Sequence, residues 1–159
     1  MTLVVGVDPG ISNIGFAAIE LHRPDSFFTC TCHTSSLQTI SQRLDCVRRY
    51  FCDLDAASEG LLSRSDYLVV ERQPGKLQES VSWATGVIIS VLLPRVVLDI
   101  TPCDMKKMVT GYGRASKDDL RDILTNEKKF NVLNLDQHQV DALGLAIAAI
   151  KKYELYPGY

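Results

Sequence analysis

The feature that most constrains this chain is Leu3-Val4-Val5-Gly6-Val7-Asp8-Pro9-Gly10, followed by Ile11-Ser12-Asn13 and the run Ile14 to Glu20. The β-branched and aliphatic residues before Asp8 read as a buried central strand. Asp8 closes that run. Pro9-Gly10 and Ser12-Asn13 carry turn chemistry. Ile14 to Ile19 is a second apolar run, so the unit is a hairpin of two strands. A carboxylate at the end of a central strand is costly to bury unless something pairs with it. A metal ion would do so. A simple turn cap is the alternative, and this stretch alone leaves both open.

Sugar kinases and actin-like ATPases also carry Asp-x-Gly on a first hairpin, against phosphate and magnesium. The chain has 159 residues, far too few for the two-domain actin-like ATPases. It is enough for one domain with a real core, read as a single unit over 1–159. Apolar residues make up 46%, the balance of a globular protein. No run reaches the roughly 20 apolar residues that a membrane span needs, so no membrane association is expected. The N-terminus enters a strand directly, without the charged and apolar regions of a signal peptide. Cys30, Cys32, Cys46, Cys52 and Cys103 are odd in number and irregular in spacing. They read as reduced, structural thiols. His33 lacks a second ligand pair, which disfavours zinc. The expected compartment is the cytoplasm, a nucleoid or a viral replication compartment, and not the exterior. The formal charge of −2 argues mildly against nucleic acid as a partner. A cluster of buried acids lowers that total, however, while local basic patches still bind phosphate.

Phe27 to His33 reads as a third strand completing an antiparallel meander. A helix is expected from Ser36, with Leu37, Ile40, Leu44, Val47 and Phe51 at helical spacing. Arg43, Arg48 and Arg49 fall on its solvated face. After a loop from Ala57 to Ser65, Tyr67-Leu68-Val69-Val70-Glu71 is an apolar strand that ends in an acid, as the first strand does. Arg72 to Lys76 breaks it, and a helix is expected over Leu77–Leu93. Its small residues Ser82, Ala84 and Gly86 suit close helix packing or a dimer contact. Arg95 to Ile100 is the fifth strand. Thr101-Pro102 starts a short helix that ends at Thr110 to Gly113. Ser116 caps the next, and a last helix runs from Gln137 to Tyr153. The order βββαβαβααα combines antiparallel hairpins with strand–helix–strand units that favour parallel pairing. It is the order of a ribonuclease H-like fold: a five-stranded mixed sheet, a three-stranded meander plus two parallel strands, flanked by helices.

Three acids stand out. Asp8 and Glu71 end separate apolar strands, and Asp141 opens an otherwise apolar helix. Oxygen ligands suit magnesium or manganese. His138 lies three residues before Asp141, so both face one side of the helix. It can serve as a fourth ligand or as a base behind the ligands. Two divalent ions about 3.5–4 Å apart can hold both oxygens of an in-line phosphoryl displacement. Lys106 and Lys117, flanking the Thr110–Ala115 loop, can neutralise charge on the scissile phosphate.

These motifs resemble the RuvC-type Holliday junction resolvases. The resemblance rests on Gly6-Val7-Asp8-Pro9-Gly10 with Gly15, and on the strand ending in Glu71. It rests further on Pro102-x-x-x-Lys106-x-x-Val109-x-Gly111-x-Gly113-x-Ala115-x-Lys117 and on His138-x-x-Asp141-Ala142-Leu143. It spans Val4 to Ile150. The Glu71-Arg72-Gln73-Pro74 step looks more like the poxvirus and mitochondrial branches. The resemblance implies a homodimeric, metal-dependent endonuclease that nicks four-way DNA junctions symmetrically, leaving 5′-phosphate and 3′-hydroxyl ends. It places Asp8, Glu71, His138 and Asp141 at the metal positions, with two magnesium or manganese ions per site and Asp136 as a substitute for His138. Lys106 and Lys117 become the phosphate-contacting lysines, and Arg72, Lys76, Lys107 and Arg114 further DNA contacts. The dimer helix corresponds to Leu77–Leu93 and the junction-centre loop to Arg72–Gln78, which has no evident aromatic wedge. The alternatives are a related nuclease acting on RNA or other branched DNA, and a junction-binding protein without catalysis. The lysine-bearing loop disfavours the first and the complete acid set the second.

Overall fold

A computed structural model describes residues 2–23, 26–72, 79–126 and 130–156. The strands are β1 (Leu3–Asp8), β2 (Asn13–Glu20), β3 (Phe27–His33), β4 (Tyr67–Glu71) and β5 (Val96–Ile100). They form one sheet in the order β3-β2-β1-β4-β5. β1–β2 and β2–β3 pair antiparallel, whereas β1–β4 and β4–β5 pair parallel. The helices are α1 (Ile40–Ala57), α2 (Glu79–Leu92), α3 (Pro102–Thr110), α4 (Lys117–Asn126) and α5 (Gln137–Lys152). The mixed sheet and the element order are those expected from the sequence.

Successive side chains of a strand point to opposite faces, and the two faces have separate cores. Leu3, Val5, Val7, Ile14, Phe16 and Leu68 pack with α1 and α2 residues such as Val47, Phe51 and Ile88. Val4, Ala17, Ile19 and Val69 pack with α3, α4 and α5 residues such as Met105, Leu120 and Ala146. β1 and β4 are therefore apolar on both faces, as a central parallel pair must be. The same alternation puts Asp8 on the side of Val4 and Glu71 on the side of Val69. Both acids thus end their strands on the face that α5 covers.

α5 is buried without interruption from Ala142 to Ile150. It reaches the sheet at two glycines. A Cβ on Gly6 would land on the Ala142 carbonyl oxygen, with Ala146 N at 3.0 Å; one on Gly15 would land on the His138 carbonyl oxygen. Helix backbone and strand backbone are in direct contact there, which only glycine allows.

Local chemistry sets the helix ends. The expected start of α1 at Ser36 is corrected to Ile40. Thr39 and Gln42 form a reciprocal capping box, which satisfies two free amides and outcompetes the earlier serine. Ile40 is accordingly 42% exposed rather than part of the apolar stripe. Thr101 caps α3 with Pro102 behind it, and Gly111 ends it at φ 82°, the left-handed backbone glycine adopts cheaply. On α2, Ala84 packs into the core with Ile88 and Leu92, so it is not on the outer face with Ser82 and Gly86. All five cysteines are free thiols. Burial first, and then Cys46 beside it, push the Cys32 thiol up to about 12, which keeps it protonated and inert.

The Gly6 contact gives a direct test. Gly6→Ala forces α5 off the sheet, and overpacking of this kind costs roughly 1–3 kcal/mol or more. Thermal unfolding should show a clearly lowered Tm. An unchanged Tm would mean that α5 does not approach β1 this closely.

Candidate active site

The site is built at the ends of two parallel strands. Val7 lies opposite Val70 across the β1–β4 pair, so one residue further on Asp8 and Glu71 emerge side by side. Across the other edge of β1, Asp8 pairs with Gly15. That glycine seats the first turn of α5, which brings His138 and Asp141 over Asp8. His138 Nδ1 lies 2.9 Å from Asp8 Oδ2. This contact ties the imidazole ring of α5 to the acid that ends β1. The side chains of Asp8 and Asp141 are each 16% exposed, enclosed but reachable.

The remaining contacts surround Asp141. Gln137 Nε2 donates to Asp141 Oδ1 at 2.9 Å. Lys117 Nζ stands 3.8 Å from Asp141 Oδ2. Lys117 opens α4, whose amino end is fixed by a reciprocal pair: Ser116 N donates to Asp119 Oδ2 at 2.8 Å, and Asp119 N donates to Ser116 Oγ at 3.1 Å.

The acids feel one another. Burial, then the charge of Asp8, then that of Asp141 push the Glu71 carboxyl up to about 7, against the pull of Lys117 and Lys106. Burial likewise raises Asp141, opposed by the Gln137 hydrogen bond and reinforced by Asp8. Asp8, Glu71 and Asp141 are oxygen donors of the kind a hard divalent cation takes, and Glu71 and Asp141 are both shifted toward the protonated form. The imidazole adds a fourth donor. Among the described residues no group of three His, Cys, Asp or Glu side chains is placed to hold a metal ion as it stands. The chemistry of these donors suits magnesium or manganese, which would supply positive charge for an attacking water and a scissile phosphate.

Residues 4–149 match the family model "Crossover junction endodeoxyribonuclease RuvC". This chain belongs to the RuvC family. A Renibacterium salmoninarum RuvC is 32% identical over 91% of this chain and 77% of its own length. The fold is that of Thermus thermophilus RuvC in complex with a Holliday junction substrate, with a TM-score of 0.78, 18% identity and coverage of 98% and 96%. The fowlpox virus Holliday junction resolvase shares the fold at a TM-score of 0.56, with 12% identity and coverage of 96% and 99%.

Against the sequence reading, Asp8, Glu71, His138 and Asp141 share one site, with Lys117 beside Asp141. Lys106 is close enough to act on Glu71. Asp136, the substitute ligand, is instead the N-cap of α5. Its Oδ1 accepts from Gln139 N at 2.9 Å and its Oδ2 from Thr31 Oγ1 at 2.6 Å. Burial works against its charge, but the Thr31 and Gln139 hydrogen bonds hold its carboxyl below the ordinary range. Arg72 is ion-paired to Asp99. Lys107 and Arg114 are exposed on α3 and the loop after it. Lys76 and the rest of the junction-centre loop, 73–78, lie outside the described residues. Two residues were missed. Gln137 stands four before Asp141, a helical spacing that signals contact. Arg43, read as solvated, donates to Ser12 Oγ at 2.9 Å and to Leu37 O at 3.0 Å. It buttresses the turn after Asp8, and no local pattern announced it.

Glu71 generates a stability prediction. Its raised pKa means that the folded state holds the proton more tightly than the unfolded chain. Metal-free stability therefore falls as pH rises from about 4.5 to about 7. At pH 8, Glu71→Gln removes a repelled charge and should raise Tm by about 2–4 °C, equivalent to about 1 kcal/mol after screening of a half-buried group. The gain should fade by pH 5, and magnesium should stabilise the variant less than the wild type. A lowered Tm at pH 8 contradicts the repulsive cluster.

Proposed function

We propose that this protein resolves four-way DNA junctions by paired, symmetric nicks, hydrolysing the phosphodiester at the Asp8–Glu71–His138–Asp141 site. The observation that carries this is the convergence of three mutually repelling carboxylates, one oriented imidazole and one lysine at the ends of two parallel strands. Asp8, Glu71 and Asp141 would hold divalent cations, two per site, which would supply Lewis-acid stabilisation to the hydrolysis. Asp8 orients the His138 ring through Nδ1, and Nε2 would serve as a cation ligand or as a base toward the attacking water. Gln137 holds the Asp141 carboxylate in one rotation. Lys117 and Lys106 neutralise charge that develops on the phosphate, which favours the transition state over the ground state. Lys107 and Arg114 contact neighbouring phosphates, as does Arg72 when it leaves Asp99. The protein works where four-way junctions arise, in the cytoplasm, at a nucleoid or in a viral replication compartment.

Paired nicking needs two related sites, and a two-fold dimer supplies them. The outer face of α2 suits that contact. Trp83 is 47% exposed, and a Cβ on Gly86 one turn later meets no atom within 4 Å. Gly86→Arg is therefore tolerated by the fold yet blocks the approach of a second copy. Light scattering should report a dimer for the wild type and a monomer for Gly86→Arg, with loss of coordinated nicking. A monomeric wild type that still nicks in pairs contradicts the dimer.

The function is tested with a synthetic mobile four-way junction and magnesium or manganese. The wild type should release nicked duplexes bearing 5′-phosphates. Asp8→Asn should lose cleavage by on the order of 10³-fold or more and keep or improve junction affinity, because a charge that repels DNA is gone. Full nicking by Asp8→Asn excludes the proposed site.

A further inference from the structure

The loop that joins the two site lysines carries an aromatic ring with no task in the fold. α3 is capped by Gly111, whose N–H donates to Lys107 O at 2.9 Å. Next to it, Tyr112 N donates to Thr110 Oγ1 at 3.2 Å, and the same hydroxyl donates to Lys106 O at 2.9 Å. Tyr112 O accepts from Ala115 N at 3.1 Å. A Cβ on Gly113 would come within 2.7 Å of Cys103 Sγ, so the loop backbone lies flat on α3. Ala115 is buried beyond it, 3% exposed. The loop is thus pinned on both sides of Tyr112, and yet the Tyr112 ring is 61% exposed.

Its neighbours give the ring a context. Lys106 lies at one end of this segment and acts on Glu71. Lys117 lies at the other and stands 3.8 Å from Asp141 Oδ2. Exposed Lys107 and Arg114 flank it. A flat ring on a rigid stem, on the segment between two lysines of the candidate site and next to two further exposed cations in sequence, has the composition of a nucleobase platform. The cations hold the backbone, and the ring offers its face to a base that has left the stack. Because the stem is already ordered, little conformational entropy is lost on contact.

We propose that Tyr112 stacks on an unpaired nucleobase of the junction beside the scissile phosphate, and so selects where the cut falls. The inference rests on the junction-resolving function above and adds to it a residue that reads DNA conformation at the cut site. Stacking uses the π-face and not the hydroxyl. Tyr112→Phe and Tyr112→Trp therefore retain it, whereas Tyr112→Leu and Tyr112→Ala lose it. Because the ring is exposed, none of these changes should alter Tm.

The test is single-turnover cleavage of a four-way junction over a range of protein concentrations, with one abasic nucleotide moved position by position along both sides of the scissile phosphate. On the intact junction, Tyr112→Ala and Tyr112→Leu should raise the apparent KM on the order of 10-fold to 100-fold, while Tyr112→Phe stays near wild type. At one position the abasic junction should be cut equally by wild type and Tyr112→Ala, because the contacted base is missing for both. If the two proteins differ by the same factor at every position, the ring touches no base and the proposal is wrong, although junction cleavage itself stands. If the wild type neither binds nor cuts the intact junction, the stacking role and the resolvase function both fall.

Discussion

The structure depends on one close approach: the first turns of α5 lie on β1 and β2 with no side chain between the backbones. Gly6 and Gly15 make that possible, and any Cβ at either place would occupy a helix carbonyl oxygen. The distance between helix and sheet fixes where His138 and Asp141 stand relative to Asp8. The geometry of the candidate site is therefore a consequence of core packing. The uninterrupted burial from Ala142 to Ile150 holds the helix in place, and the Asp136 capping box sets the residue at which it begins. A change that lifts α5 by the radius of a methyl group should damage the site before it unfolds the chain.

The same packing creates the electrostatic problem that the site uses. Asp8 and Glu71 leave adjacent parallel strands on one face, and α5 lowers Asp141 onto them. Each carboxylate is sheltered from water and exposed to the charge of the others, so Glu71 is pushed up to about 7. Apolar folds avoid such arrangements because they cost stability. Lys117 and Lys106 offset part of the repulsion, and divalent cations would offset more. Stability surrendered at the strand ends is what a divalent cation bound there would restore.

Much of this was legible in the chain. Apolar runs ending in Asp8 and Glu71 announced two central strands, and the shift to helical spacing around Val140 to Ile150 announced the covering helix. That the two acids share a face follows from the observed register of β1 on β4. Boundaries and non-local partners were harder to read. Thr39 outcompeted Ser36 as the cap of α1 because Gln42 answered it, a reciprocal effect that single residues do not display. Arg43 looks solvated from its helical position and is engaged because the Ser12 turn folds over α1. Asp136 looks like a ligand by its nearness to His138, but helix geometry assigns it to the cap. Ala84 looks like part of a small-residue face, and the α1 contact takes it into the core. In each case the deciding partner lies on another element, or across a turn.

The central claim is that Asp8, Glu71 and Asp141 form one divalent-cation site assembled by the approach of α5. The most direct measurement is anomalous diffraction from crystals grown in manganese. The account predicts anomalous peaks enclosed by those three carboxylates, and their loss in Gly15→Ala crystals, where α5 is displaced. Manganese bound only elsewhere, with the three carboxylates in place and no peak between them, would contradict it.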